Sequence, residues 1–199
     1  MRTVFFDVDT QLDFLFPAGA LAVPGAETIV KSLGELTSFA AAKGIQIVST
    51  ADAHPENDPE FAVWKPHCIV GTTGQQKVAA TTLARPSILP SAPDSFRELQ
   101  EQLLAAPQII VEKQDFDCFT NPNLGPLLES LRADRFVVYG VATEHCVRCG
   151  IFGLLRTGVR VELVTDAIKS LVSGKEKEIL DDFVANGGQL TTVRAATAS

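Results

Sequence analysis

The sequence predicts an α/β protein with a doubly wound, mostly parallel, six-stranded sheet and helices on both faces. Short apolar runs alternate along the chain with segments whose apolar residues recur at helical spacing. The runs are apolar throughout rather than at every second position, which is typical of parallel strands buried on both faces. The 199 residues show no repeat and no linker, so we expect a single domain over residues 1–199.

The strands are predicted from the apolar, β-branched runs, and the helices from the segments between them. In chain order, the predicted strands are Thr3–Val8, Gln46–Ser49, Gln108–Val111, Arg135–Tyr139, Arg160–Val164 and Gln189–Val193. The predicted helices are Glu27–Lys43, Ser95–Leu104, Leu124–Leu131, His145–Thr157 and Gly174–Asn186. Alternation of strands and helices implies right-handed crossovers, and ligands of such sheets bind beyond the carboxyl ends of the strands.

Charge and composition exclude several classes of partner. The net charge of −7 argues against nucleic acid, because proteins that bind it usually carry a basic face. No run is apolar enough to span a bilayer, and Met1-Arg2 leads directly into the first strand, so we expect neither a membrane segment nor a signal peptide. Four cysteines in a chain of this size do not suggest a disulfide framework, and we expect reduced thiols in the cytoplasm. The expected partners are a small-molecule substrate and further copies of the chain in a homo-oligomer.

Three reactive side chains follow three different predicted strands. Asp9 follows the first strand, Lys113 the third and Cys146 the fourth, so all three are expected at one edge of the sheet. A thiol where a strand gives way to a helix lies at the positive end of the helix dipole, where its pKa can fall below the free value of about 8.5. A nucleophile also needs a proton acceptor and a group that holds its charge, which Asp9 and Lys113 can supply. The competing interpretation is a surface ion pair beside a cysteine that is simply buried.

Imidazoles and carboxylates cluster after the second predicted strand. Asp52 and His54 lie on the same side of an extended segment, because side-chain direction alternates along a strand. Glu60 and His67 follow in the next loop. Such a mixed nitrogen and oxygen set suits one divalent metal ion, with Zn²⁺ first and Fe²⁺ or Mn²⁺ as alternatives. Chance clustering is the other interpretation, and we interpret Cys68 as buried structure rather than as a ligand.

The order of these residues resembles the nicotinamidase/isochorismatase-like cysteine hydrolases. The opening segments of the resemblance are Asp9-Thr10-Gln11-Leu12-Asp13-Phe14 and Gly19-Ala20-Leu21-Ala22-Val23-Pro24-Gly25. The later segments are Asp52-Ala53-His54, Pro66-His67-Cys68, Lys113 and Gly140-Val141-Ala142-Thr143-Glu144-His145-Cys146-Val147. The resemblance spans nearly the whole chain and implies the isochorismatase-like hydrolase fold.

For catalysis, the resemblance implies a set formed by Asp9, Lys113 and Cys146. It also implies a cis peptide bond between Val141 and Ala142, with the backbone N–H groups of Ala142 and Cys146 forming an oxyanion hole. The implied reaction is the hydrolysis of a small amide through a thioester on Cys146. The first candidate substrate is nicotinamide, whose conversion to nicotinate and ammonia would belong to NAD salvage.

The resemblance further implies a metal site and a substrate site. The metal-binding branch of the family, the nicotinamidases, uses an Asp, two His and a third His or a Glu. The corresponding residues here are Asp52, His54, His67 and Glu60. Phe14 and Trp64 match the aromatic residues that sandwich the pyridine ring, and we assign His145 to the same substrate site. The loop Gln114–Phe119 does not single out nicotinamide, so another small amide or a carbamoyl compound is an alternative substrate.

Three other interpretations of the sequence stay open. The run Asp7-Val8-Asp9-Thr10 after an apolar strand is also the opening of haloacid-dehalogenase-like phosphatases, in which Asp7 and Asp9 would be catalytic. Of the late acidic pair that such a phosphatase needs for Mg²⁺, only Asp166 stands after the fifth strand. Cys146 and Cys149 have the C-x-x-C spacing of a redox pair. A non-catalytic binding protein with the same fold is the third interpretation.

Overall fold

The computed structural model describes residues 1–198 as one seven-stranded sheet flanked by helices, and Ser199, the last residue of the predicted domain, lies outside the described residues. The strands are β1 Thr3–Val8, β2 Ile47–Asp52, β3 Ser87–Leu89, β4 Gln108–Lys113, β5 Arg135–Val141, β6 Arg160–Lys169 and β7 Gln189–Thr191. The helices are α1 Leu12–Leu15, α2 Val30–Lys43, α3 Ser95–Ala105, α4 Leu124–Leu131, α5 Arg148–Leu155, α6 Glu176–Ala185 and α7 Val193–Ala196. None of the helices in residues 1–198 has the length and apolar character needed to cross a membrane.

All neighbouring strands are parallel, and their order across the sheet is β3-β4-β2-β1-β5-β6-β7. The first strand therefore lies in the middle, with β2 on one side and β5 on the other. Connections leave the centre in both directions, which makes the carboxyl edge around β1 the point where the direction of winding reverses. A crevice forms at such a point in open α/β sheets, and ligands bind there. The predicted doubly wound parallel sheet is confirmed.

The core has two layers, one on each face of the sheet. Side chains alternate along β1, so that Val4 and Phe6 enter one layer while Phe5 enters the other. Helices α3 to α6 supply the first layer, and α1, α2 and α7 supply the second. Because the sheet is covered on both faces, the side chains at the carboxyl ends of its strands project from a rigid base.

Helix α2 illustrates how the sequence fixes an element. Leu33, Leu36 and Ala40 recur at helical spacing and are all fully buried. The helix ends at Gly44, whose φ of 64° is left-handed and whose N–H donates to the last-turn carbonyls of Ala40 and Ala41. The predicted start at Glu27 lies in a preceding 3₁₀ turn, Ala26–Ile29, so the regular helix begins later.

The predicted count of six strands is wrong by one. The additional strand, β3, has three residues and lies at the edge of the sheet beside β4. Pro86 and Pro90 flank it, and proline at both ends is typical of an edge strand but hides its signal in a sequence. Two four-residue helices, α1 and α7, were not predicted either, because a single turn shows no periodicity.

Several predicted boundaries shift at the carboxyl edge. Strands β2 and β4 continue to Asp52 and Lys113, beyond the apolar runs, because the sheet also pairs their polar last residues. The strand predicted to end at Val193 stops at Thr191, since the Thr192 side chain accepts the N–H of Ala195 and caps α7. The polar last residues of β2 and β4 are thus paired in the sheet like the apolar residues before them.

Gly140 permits a close approach between β5 and β1. Its φ is 126°, and a Cβ at this position would lie 2.0 Å from the backbone oxygen of Val8. Only glycine can therefore bring this part of β5 against the strand that carries Asp9.

Candidate active site

The reactive side chains lie at the carboxyl ends of four adjacent strands. Asp9 follows β1, Asp52 ends β2, Lys113 ends β4, and Cys146 follows β5. In the sheet these strands stand in the order β4-β2-β1-β5. Residues that are far apart in sequence therefore meet at one edge, as parallel pairing requires.

Lys113 joins Asp9 to Cys146. Its Nζ lies 2.9 Å from Asp9 Oδ2 and 3.6 Å from Cys146 Sγ. Asp9 is fully buried, Lys113 is 1% exposed and Cys146 is 7% exposed. The three residues thus form a buried cluster in which the cysteine is the most exposed member, and they are not a solvated surface ion pair.

Burial dominates the proton affinities of this cluster. It raises the pKa of the Cys146 thiol well above its ordinary value, and the nearby charge of Lys113 opposes the rise only in part. Burial also raises the pKa of Asp9, again against the charge of Lys113. Burial works against the charge of Lys113 as well, but Asp52 and Asp9 outweigh it and hold the pKa of Lys113 well above its ordinary value. The cluster therefore combines a protonated thiol, a carboxylate with high proton affinity and a permanent ammonium.

The sequence suggested a lowered thiol pKa, and the structure reverses this direction. Cys146 does not open a regular helix, because Thr143–Val147 form a π-helical turn and α5 begins only at Arg148. The thiol is almost fully buried among charged neighbours of both signs, and burial outweighs any helix dipole there. Its nucleophilic form therefore requires a base.

A narrow cleft leads to Cys146. Phe14, Trp64 and His145, which the sequence assigned to the substrate, all line it. The rings of Trp64 and His145 stand edge to face with centroids 5.5 Å apart. Aromatic walls that converge on a thiol suit a small flat molecule.

Phe116 is a wall residue that the sequence reasoning did not assign. Its ring centroid lies 5.0 Å from that of His145 and 5.8 Å from that of Trp64. It follows Lys113 at the end of β4, so the rule that ligands bind beyond strand ends could have identified it.

The backbone beside the sulfur has an unusual form. The peptide bond between Val141 and Ala142 is cis, as the resemblance implies. Val141, Ala142 and Cys146 all line the cleft. The two residues expected to donate backbone N–H groups to an oxyanion therefore line the cleft that the thiol opens into.

Asp52, His54 and His67 form a second cluster next to the first. Asp52 Oδ2 lies 3.7 Å from His54 Nε2 and 3.6 Å from His67 Nε2. Glu60 Oε2 lies 4.0 Å from His54 Nε2. One ligand atom each from Asp52, His54 and His67 lie within 4.8 Å of one another, close enough to hold one metal ion.

The hydrogen bonds of both imidazoles fit a metal site. His54 Nδ1 lies 3.0 Å from Asp58 Oδ2, and His67 Nδ1 lies 2.7 Å from the backbone oxygen of Lys65. When each ring donates through Nδ1 and its Nε2 is unprotonated, the lone pair of Nε2 faces Asp52 and can bind a cation. His54 Nε2 is buried and has no hydrogen-bond partner in the described structure. Such an orphaned nitrogen in a carboxylate–imidazole set fits a divalent cation.

Asp52 links the two clusters. One carboxylate oxygen, Oδ1, accepts from Lys113 Nζ, while the other, Oδ2, faces the two histidines. Burial works against the charge of Asp52, yet Lys113 and the imidazoles hold its pKa well below its ordinary value. The carboxylate therefore stays ionised, with Lys113 bound at one oxygen and the two histidines near the other.

Other residues named by the rival interpretations have structural partners. Asp7 Oδ2 lies 2.9 Å from Lys77 Nζ and accepts from Ser49 and Thr10, and the residue is fully buried. Asp166 accepts the backbone N–H of Val193. Both acids are thus engaged by structural partners, which does not favour a phosphatase site built on them.

The remaining cysteines lie outside the cleft walls. Cys68 and Cys118 are buried in the two apolar layers, and burial raises the pKa of each thiol above its ordinary range. Cys149 is half-buried on α5. Cys146 is thus the cysteine whose surroundings suit chemistry.

Comparison with known proteins agrees with this geometry. A family model, the isochorismatase domain, matches residues 3–195. The chain is 26% identical to a nicotinamidase of Acinetobacter baylyi, a match that covers 94% of this chain and 91% of that protein. It is 22% identical to an N-carbamoylsarcosine amidase of an Arthrobacter species, covering 87% of this chain and 61% of that protein. Among solved structures, a pyrazinamidase of Pyrococcus horikoshii in complex with zinc superposes with a TM-score of 0.80 and 27% identity, covering 96% and 99% of the two chains.

Proposed function

We propose that this chain, which belongs to the isochorismatase family and is a hydrolase of amide C–N bonds, is a nicotinamidase. The reaction is the conversion of nicotinamide and water to nicotinate and ammonia. The observation that carries the proposal is the buried cluster of Asp9, Lys113 and Cys146, whose sulfur lines an aromatic cleft beside a set of metal-type ligands. The four free cysteines support a cytoplasmic location, where thiols stay reduced.

In the first half of the reaction, Asp9 accepts the thiol proton of Cys146. Because burial raises the pKa of Asp9, its carboxylate is a better proton acceptor than an exposed aspartate. The sulfur forms a bond to the amide carbon, and the carbonyl oxygen takes up negative charge. The N–H groups of Ala142 and Cys146 stabilise that oxygen, and one such donor is typically worth about 10²–10³ in rate.

In the second half, the C–N bond breaks and Asp9 returns its proton to the leaving nitrogen, so ammonia departs and a thioester remains on Cys146. A water molecule then adds to the thioester carbon while Asp9 accepts its proton. The C–S bond breaks, the sulfur recovers a proton, and the acid is released. Lys113 keeps its charge throughout and balances Asp9 while the proton moves.

Asp52, His54 and His67 are the residues that would hold the divalent cation, with Glu60, whose Oε2 lies 4.0 Å from His54 Nε2, as the fourth ligand. Zn²⁺ is the first candidate, and Fe²⁺ or Mn²⁺ are alternatives. When bound, the ion would coordinate the pyridine nitrogen and so orient the ring. Phe14 and Trp64 would hold the faces of the same ring.

The substrate assignment is tested by measuring ammonia release. Nicotinamide, pyrazinamide and several carbamoyl compounds are compared, each with and without a chelator. We expect nicotinamide to be hydrolysed most efficiently and the chelator to lower its rate. If a carbamoyl compound is hydrolysed faster, the nicotinamide assignment is wrong and the substrate is a carbamoyl compound, the alternative that the similarity to the Arthrobacter amidase supports.

The proposed ligands are tested through bound metal rather than through activity. We expect His67→Ala to contain much less divalent metal than wild type in elemental analysis. Loss of a residue that only hydrogen-bonds to a metal ligand typically lowers metal affinity about 10–100-fold, and loss of a ligand itself should lower it further. The control is Glu56→Gln, which changes an exposed acid in the same loop. Equal metal content in His67→Ala and wild type would reject this ligand set.

A further inference from the structure

Asp9 has a backbone conformation that needs external support. Its φ is 48°, in the left-handed region that residues other than glycine seldom adopt. Its N–H points at Thr50 on β2, with 3.3 Å to both the backbone oxygen and the side-chain Oγ1. The neighbouring strand thus holds the backbone that aims the Asp9 carboxylate.

Thr50 also binds the carboxylate itself. Its hydroxyl donates to Asp9 Oδ1 across 2.5 Å, within the range of a strong hydrogen bond to a charged acceptor. The other oxygen, Oδ2, lies 2.9 Å from Lys113 Nζ. The two carboxylate oxygens therefore have separate partners, which fixes the rotation of the group.

Lys113 alone would not fix this rotation. Its Nζ also binds Asp52, so Asp9 shares the ammonium with a competing carboxylate. Without a partner on Oδ1, the Asp9 carboxylate could turn while keeping its ion pair. The Thr50 hydroxyl is the group that removes this freedom.

We propose that Thr50 is a positioning residue that orients Asp9 for proton transfer with Cys146. Thr50 is fully buried and its hydroxyl bonds to Asp9, so its role would run through Asp9. The inference rests on the proposed function, in which Asp9 is the proton acceptor. It adds a residue that the chemistry depends on without touching the reacting atoms.

The test compares Thr50→Val, which keeps the shape and removes the hydroxyl, with Thr50→Ser, which keeps the hydroxyl. Two quantities are measured: kcat and KM for ammonia release, and the rate at which iodoacetamide alkylates Cys146 without substrate. For Thr50→Val we expect kcat to fall roughly 10- to 100-fold with KM changed less than about twofold. We expect the alkylation rate of Thr50→Val to fall as well, and both rates of Thr50→Ser to stay near wild type.

A matched control removes a buried hydroxyl elsewhere. Thr37 lies on α2, is also buried, and donates to the backbone oxygen of Leu33. Thr37→Val should leave kcat and alkylation unchanged. If Thr50→Val does not fold by circular dichroism, the pair Thr50→Ser and Thr50→Ala differs by the same hydroxyl and replaces it.

The outcomes separate this inference from the substrate assignment. The role of Thr50 is overturned if the variant without the hydroxyl keeps the wild-type kcat and alkylation rate. It is also overturned if Thr50→Ser loses as much of both rates as that variant does. Alkylation needs no amide, so it decides on Thr50 even if the enzyme proves to hydrolyse something other than nicotinamide. A wild-type Cys146 that resists iodoacetamide while ammonia is released would reject the cysteine mechanism and this inference with it.

Discussion

Cys146→Ala is expected to lower the rate of ammonia release by about 10⁴-fold or more, because it removes the atom that would form the proposed covalent intermediate. The side chain is small and 7% exposed, and alanine fills nearly the same space, so the fold should persist. Substrate binding should be nearly unchanged, since the aromatic walls and the metal-type ligands are intact. The measurement combines steady-state kinetics with substrate binding by calorimetry.

The control for Cys146→Ala is Cys149→Ala. Cys149 is half-buried on α5 and does not line the cleft. If Cys146 acts alone as nucleophile, Cys149→Ala keeps wild-type activity. Equal losses in the two variants would favour the redox pair instead, and wild-type ammonia release by Cys146→Ala would exclude a thioester on this residue.

Lys113→Met is expected to damage stability and activity together. The substitution leaves the carboxylates of Asp9 and Asp52 buried without their shared cation. Breaking a buried ion pair from one side typically costs about 3–5 kcal/mol in the free energy of unfolding. We also expect kcat per folded molecule to fall by about 10²–10³-fold, as for other losses of a charge that stabilises the reacting groups.

Lys77→Met separates these two effects. Lys77 is the other lysine in a buried ion pair with an aspartate, and its Nζ lies 2.9 Å from Asp7. The substitution should lower the free energy of unfolding in urea, but the folded protein should keep its kcat because the Asp7–Lys77 ion pair includes none of Asp9, Lys113 and Cys146. If Lys77→Met lost as much kcat as Lys113→Met, the loss would reflect general destabilisation and not a role for Lys113.

Much of the fold could be predicted because its signals are local. Continuous apolar runs identified six strands, and the helical spacing in α2 and α4 identified the helices between them. The parallel arrangement then followed from the alternation of elements. Strand β3 was missed because three residues between two prolines carry too little pattern.

The site residues likewise include some that local sequence signals identify and some that depend on the whole fold. Asp9, Lys113 and Cys146 could be gathered from the sequence, since each follows a strand. Phe116 also follows a strand, but whether its ring faces the cleft depends on the path of the loop after β4. Thr50 was missed because its role depends on pairing between β1 and β2, and the thiol pKa was misjudged because burial depends on the whole fold.

The placement of the reactive groups on four adjacent parallel strands has a consequence for folding. Every pairing among β1, β2, β4 and β5 joins distant parts of the chain, and such high contact order slows folding. A collapsed intermediate that lacks one of these pairings has no assembled nucleophile, however much helix it contains. Recovery of catalysis after dilution from denaturant should therefore lag behind recovery of far-ultraviolet circular dichroism, so that enzymatic turnover reports the final docking of the sheet.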